Sequence, residues 1–255
     1  MKTPIRLPIV SVLTICAALW AMPGTADAQI FEVNNYSGTI GEYNLNGTTV
    51  NASLVSGLSY PEGIAVSGGD LFVVNNDGTI GEYTTSGGTV NASLVSDFYE
   101  PDGIAVSGGD LFVVNNEGTI GEYTTSGGTV NASLVSGLSH PEGIAVSGGD
   151  LFVVNNEGTI GGTIGEYTTS GGTVNASLVS GLNDPYGIAV SGGDLFVAAV
   201  GQIGEYTTSG GTVNAALVVT GLPYPQGIAV VPEPTTLALA GIGGLSLLLF
   251  RRRRK

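Results

Sequence analysis

The sequence predicts an all-β fold, a five-bladed β-propeller, from three observations. A unit that opens Pro61-Glu62-Gly63-Ile64-Ala65-Val66-Ser67-Gly68-Gly69-Asp70-Leu71-Phe72-Val73-Val74-Asn75-Asn76 recurs from Pro101, Pro141, Pro185 and Pro225, at spacings of 40, 40, 44 and 40 residues. Each unit contains four short apolar runs separated by Gly, Asn and Ser, the composition of strands and tight turns. The first copy lacks the opening run and the last copy supplies little else, so the two fragments add up to one unit. Four-stranded units of roughly this length are the sequence signature of propeller blades.

Taken in chain order, the first element is Met1 to Ala28. A basic start (Lys2, Arg6), an apolar stretch from Ile9 to Trp20 and the small-residue ending Ala26-Asp27-Ala28 give the layout of a secretory signal peptide over 1–28. The apolar stretch is short for a membrane span, which needs about 20 residues. Cys16, the chain's single cysteine, lies inside it, so cleavage after Ala28 leaves no thiol for a disulfide or a cysteine metal site.

The repeats occupy 29–231. Within one unit, Ile64 to Val66 reads as the first strand, Leu71 to Val74 as the second, Thr79 to Tyr83 as the third and Val90 to Val95 as the fourth. Leu71-Phe72-Val73-Val74 is apolar on both faces, as in a strand covered on two sides. Val90, Ala92 and Leu94 alternate with Asn91 and Ser93, as in a half-exposed strand. Complete blades are expected at 61–100, 101–140, 141–184 and 185–224. A composite blade is expected from 29–60 with 225–231, the two chain ends pairing in one sheet and removing exposed edges.

The final element, 232–255, joins Pro232-Glu233-Pro234 to an apolar run over 235–250 and then to Arg251, Arg252, Arg253, Arg254 and Lys255. These three parts, in this order, resemble the PEP-CTERM sorting signal. The resemblance implies recognition by an inner-membrane exosortase, cleavage near the motif, and life in bacteria that make extracellular polysaccharide; the Sec machinery is the partner expected during export. Independently of it, 16 helical residues reach only about 24 Å against a hydrocarbon core of about 30 Å. The helix is therefore expected to insert transiently, with the basic cluster held on the cytoplasmic side. The repeat itself resembles the NHL repeat, through Pro-x-Gly-Ile-Ala-Val followed by Leu-Phe-Val-Val-Asn. That family includes binding scaffolds as well as lactonase-like and lyase-like enzymes, whose scattered His and basic residues this chain lacks.

Charge and chemistry narrow the function. The chain has 21 acids and 7 bases. All 7 bases lie at the two ends, and all acids but Asp27 and Glu233 lie within 29–231. Nucleic acid is excluded as a partner, because nothing in the repeats can neutralise phosphates. Cations are concentrated near such a surface. A nucleophilic triad needs a base beside its nucleophile, and zinc usually takes several His or Cys ligands; the sole histidine is His140. No catalytic residue and no cofactor are expected, calcium being the cation whose oxygen ligands the turns could supply. Its candidate ligands are Asn75, Asp77, Asn115, Glu117, Asn155 and Glu157, which also suit tight turns on geometry alone. The fifth blade breaks this ring with Ala198-Ala199-Val200.

Differences among the copies concentrate just before the first strand. One rim would gather Tyr60, Phe98, Tyr99, His140, Tyr186 and Tyr224 among the amides and acids, a surface suited to sugars. The function expected is that of an exported, non-enzymatic protein of the cell surface or extracellular matrix, associated with exopolysaccharide or biofilm. A glycan- or lactone-acting, metal-assisted propeller enzyme and a structural spacer without ligand are the alternatives. Triplets such as Asn91-Ala92-Ser93 also fit N-linked sugar acceptors.

Overall fold

The computed structural model describes residues 29–44, 48–158, 161–218 and 228. The chain is an all-β, five-bladed propeller of antiparallel blades. The first sheet orders β1 (Gln29–Asn34), β2 (Thr39–Asn44) and β3 (Thr49–Ser56) side by side. The second runs β4 (Pro61–Ser67), β5 (Asp70–Asn75), β6 (Thr79–Thr84) and β7 (Thr89–Val95). Two more repeat the pattern as β8 (Pro101–Ser107), β9 (Asp110–Asn115), β10 (Thr119–Thr124), β11 (Thr129–Ser136) and β12 (Pro141–Ser147), β13 (Asp150–Asn155), β14 (Gly162–Thr168), β15 (Thr173–Leu182). The last comprises β16 (Pro185–Ser191), β17 (Asp194–Ala199), β18 (Gln202–Thr207) and β19 (Thr212–Val218).

The first strands form the inner ring, β4 packing on β8, β8 on β12 and β12 on β16. The second strand of each blade also packs on the first strand of the next, as β1 on β4, β5 on β8, β9 on β12 and β13 on β16. This arrangement covers second strands on both faces. Leu71, Phe72, Val73 and Val74 are each at most 2% exposed. The core therefore lies between blades: Phe72, Val74 and Ile80 pack on Leu111, Val113 and Tyr123 of the next blade, and the pattern recurs along the ring.

Glycine sets the spacing at two repeated places. A Cβ on Gly63 would lie 2.6 Å from the Asp102 carbonyl oxygen, and one on Gly103 would lie 2.5 Å from that of Glu142. Only a bare backbone lets the inner strands approach this closely. Near the outer edge, Gly87 adopts φ 89°, and its turn seats against Leu54 of the preceding blade.

The fourth strand departs from the alternation expected of it. Thr89, Val90, Asn91, Ala92 and Ser93 are all exposed, and packing begins only at Leu94 and Val95. The cause is an irregular ladder: Ile80 pairs with Val95, Glu82 with Asn91 and Tyr83 with Thr89, so the outer strand carries extra residues and swings away from its neighbour.

β1 takes the second place in its blade and has no partner on its inner edge among the described residues. The strand expected there, 225–231, lies outside them apart from Ile228, as do the signal segment 1–28, the sorting segment 232–255 and its helix 235–250. No helix among the described residues is long and apolar enough to cross a membrane.

Candidate functional site

Two sets of loops meet on one face, here called the top. The connection entering each first strand is tied to the loop leaving the second: Asn76 N donates to Tyr60 O at 3.1 Å, Asn116 N to Glu100 O at 3.1 Å, and Asn156 N to His140 O at 2.8 Å. The residue before each blade-opening proline sits in the left-handed region, with φ 50° at Tyr60, 42° at Glu100, 47° at His140 and 44° at Asp184. Few non-glycine residues adopt this conformation. Four unlike side chains thus occupy one backbone setting.

The sequence-predicted aromatic residues divide by location. Tyr60 and Tyr99 are 62% and 57% exposed on this rim. His140 is exposed as well, whereas Tyr186 is half-buried on the inner strand β16. Phe98 turns inward and meets the Tyr123 ring edge-on, with centroids 4.9 Å apart. Leu58 and Leu138 hold the corresponding core position in neighbouring blades, so Phe98 contributes to packing rather than to the face. Tyr224 lies outside the described residues.

The proposed cation ligands also separate. Asn75, Asn115 and Asn155 are buried, and their amides turn to the start of the third strand: Asn75 Nδ2 donates to Thr79 Oγ1 at 3.2 Å and Asn155 Nδ2 to Thr163 Oγ1 at 3.3 Å, while Asn115 Oδ1 accepts from Thr119 Oγ1 at 2.9 Å. Asp77, Glu117 and Glu157 are exposed at the turn tips, and Asp77 accepts from Thr79 Oγ1 at 2.7 Å. No group of three or more His, Cys, Asp or Glu side chains that could hold a metal ion occurs among the described residues.

The inner strands carry a cluster that the sequence analysis did not single out. The pairing skips a residue after Pro61, from Pro61↔Asn75 to Gly63↔Val74, and an irregularity recurs after Pro101 and Pro141. These irregularities carry Glu62, Asp102 and Glu142. Burial, and then the charges of Glu142, Glu62 and Glu100, push Asp102 up to about 7. Burial and the charge of Glu62 also raise Glu142, and His140 partly offsets them. Asn35 of the preceding blade donates Nδ2 to Glu62 at 2.6 Å, and Asn116 donates to Glu100 at 2.8 Å. The signal in the sequence is an acid recurring every 40 residues within Pro-x-Gly, at Glu62, Asp102 and Glu142.

Between His140 and the turn after β13 lies an open pocket of about 550 Å³ lined by Ser139, His140, Glu142, Asn156, Glu157 and Gly158. This copy has the 44-residue spacing, and its extra residues fall in the loop between β13 and β14. The face as a whole offers carboxylates, amides and two exposed tyrosines, groups that can hydrogen-bond hydroxyls and stack on flat rings.

Residues 230–254 match the PEP-CTERM protein-sorting motif. The match implies an exported protein that transits the membrane and is recognised by exosortase. A search of curated proteins finds no match. Among solved structures, the propeller is similar to a chain of a nidogen–laminin complex, with TM-score 0.69 and 17% identity over 80% of this chain and 81% of that one. It is similar to XC5397 of Xanthomonas campestris, described as a gluconolactonase, with TM-score 0.65 and 15% identity over 79% and 75%. It is also similar to virginiamycin B lyase from Staphylococcus aureus, with TM-score 0.61 and 21% identity over 82% and 73%. These likenesses are likenesses of fold. Fold and tail together define an exported β-propeller protein with an exosortase sorting motif.

Proposed function

We propose that the protein is a non-enzymatic scaffold of the cell surface or extracellular matrix that associates with extracellular polysaccharide through its top face. The observation carrying this reading is the repeated rim position, where one rigid backbone setting displays Tyr60, Glu100, His140 and Asp184 in successive blades, with Tyr99 beside it. Binding groups commonly sit on loops over a rigid scaffold, and flat aromatic faces beside amides suit sugar rings and hydroxyls. Calcium enters as a bridging counter-ion between the acidic face and acidic polysaccharide. Sec export followed by exosortase processing supplies the route to that location.

A specific observation favours an enzyme as the second reading: His140, Glu142 and Glu157 share one pocket, beside an Asp102 that titrates near neutrality. Two of the solved propellers similar in fold are described as a gluconolactonase and a lyase. The test passes the exported protein and its Tyr60→Ala/Tyr99→Ala variant over immobilised exopolysaccharide from the producing cells, with and without calcium. The scaffold reading expects at least fivefold weaker retention of the variant and no released product. Product release abolished by Glu142→Gln would replace it with the enzyme reading. Retention equal to that on an unrelated polymer, and unchanged in the variant, would leave only the spacer.

A further inference from the structure

The bulged outer strands carry a second feature that the top face does not use. In four blades the bulge reads Asn-Ala-Ser, at Asn51, Asn91, Asn131 and Asn175; in the last blade it reads Asn214-Ala215-Ala216. Each Asn Oδ1 accepts the backbone N–H two residues on, at 3.0 Å from Ser53 and 3.1 Å from Ser93, Ser133, Ser177 and Ala216. Ala216 forms the same turn as the serines, so the bulge does not need the hydroxyl. Ser93, Ser133 and Ser177 make no side-chain hydrogen bond among the described residues, and the Nδ2 of Asn91, Asn131 and Asn175 is likewise unbonded there. The five residues from Thr89 to Ser93 are exposed on both faces at the outer edge of the sheet.

We propose that Asn91, Asn131 and Asn175, with Asn51, are acceptors for N-linked saccharide on the outer edge of the propeller. Asn-x-Ser on an exposed segment of an exported chain is the acceptor pattern, and the geometry fixes which atom is presented. The amide oxygen is engaged by the backbone, and the nitrogen is left without a partner among the described residues, on an exposed segment. In the transfer, the Asn Nδ2–C1 bond forms as the bond from C1 to the phosphate oxygen of a lipid-pyrophosphate-linked saccharide breaks. The amide proton passes to a base of the transferase, and lipid pyrophosphate leaves. A triplet outside the bulges supplies a contrast. Asn35-Tyr36-Ser37 also fits the pattern, but Asn35 Nδ2 is committed to Glu62 at 2.6 Å, so it is not presented.

The inference rests on export, which the tail supplies, and is independent of any ligand on the top face. Its test is mass spectrometry of the full exported protein from the producing cells, cleaved after glutamate because the propeller has no Lys or Arg. Peptides beginning at Tyr83, Tyr123, Tyr167 and Tyr206 differ in sequence and are told apart by mass. Saccharide mass is expected on the first three and absent from the peptides carrying Asn214 and Asn35. Ser93→Ala should return its own peptide to the bare mass, and Ala216→Ser should add the saccharide to the Asn214 peptide. Bare masses at Asn91, Asn131 and Asn175 would overturn the proposal, as would saccharide that persists in Asn91→Gln and so sits on a hydroxyl.

Discussion

At Asp102 the fold forces a carboxyl toward neutrality, burial acting first and the charges of Glu142, Glu62 and Glu100 adding to it. Its folded-state value, about 7, lies above the roughly 3.9 of an unfolded Asp, so between these limits the folded protein binds the extra proton. Stability should therefore rise as the pH falls from about 7.5 to about 5, with Glu142 acting in the same direction. Thermal melting across that range checks the sign, and Asp102→Asn should flatten the slope and raise the midpoint at neutral pH by about 2–4 °C for each kcal/mol of repulsion relieved. Gly103 gives the opposite case. Its Cβ position lies 2.5 Å from a carbonyl oxygen of the next inner strand, so Gly103→Ala should cost about 1–3 kcal/mol in a denaturant titration.

Elements of closely similar sequence differ in burial from blade to blade, DLFVVN in β5, β9 and β13 against DLFVAA in β17. Phe72, Phe112 and Phe152 are each 2% exposed, while Phe196 is only half-buried. Phe112→Ala should lose about 3–5 kcal/mol, Phe196→Ala clearly less, and Val130→Ala on the exposed outer strand no more than about 0.5; equilibrium unfolding of the three variants ranks them. The second strand was legible in advance because four apolar residues in a row require cover on both faces. The fourth was misleading, since Val90 and Ala92 alternate with polar residues as packed positions would, yet a bulge exposes them all. A two-residue period does not reveal where a ladder slips. Similarly, Phe98 looked like a rim aromatic because it adjoins Tyr99, but its neighbours in the ring, Leu58 and Leu138, identify the position as core. The inner acids were overlooked because their meeting depends on three different blades.

For the whole molecule, the repeat period gave the blade number and the strand order within each blade, since each blade is local in sequence. What brings distant residues together is the curvature of the ring, which no single repeat encodes. β1 begins its sheet without an inner partner among the described residues, and β19 is exposed along its whole length where the other fourth strands are not. A chain ending at Val218 should therefore melt well below one ending at Val231, by several degrees in calorimetry, if 225–231 completes the first blade. Equal midpoints would show that the ring does without that strand.

Tyr60, Glu100, His140 and Asp184 share one left-handed backbone pose, each held by the proline that follows and by a hydrogen bond from the neighbouring loop, which at Asp184 is shared with the Asn183 carbonyl. Such positions behave as interchangeable sockets: the strain is borne by the main chain, and the occupant is exposed at Tyr60 and His140 and half-buried at Glu100 and Asp184. Recognition can consequently diverge one blade at a time by point mutation, or be shuffled wholesale when copies recombine, with little disturbance to the hydrophobic seams below.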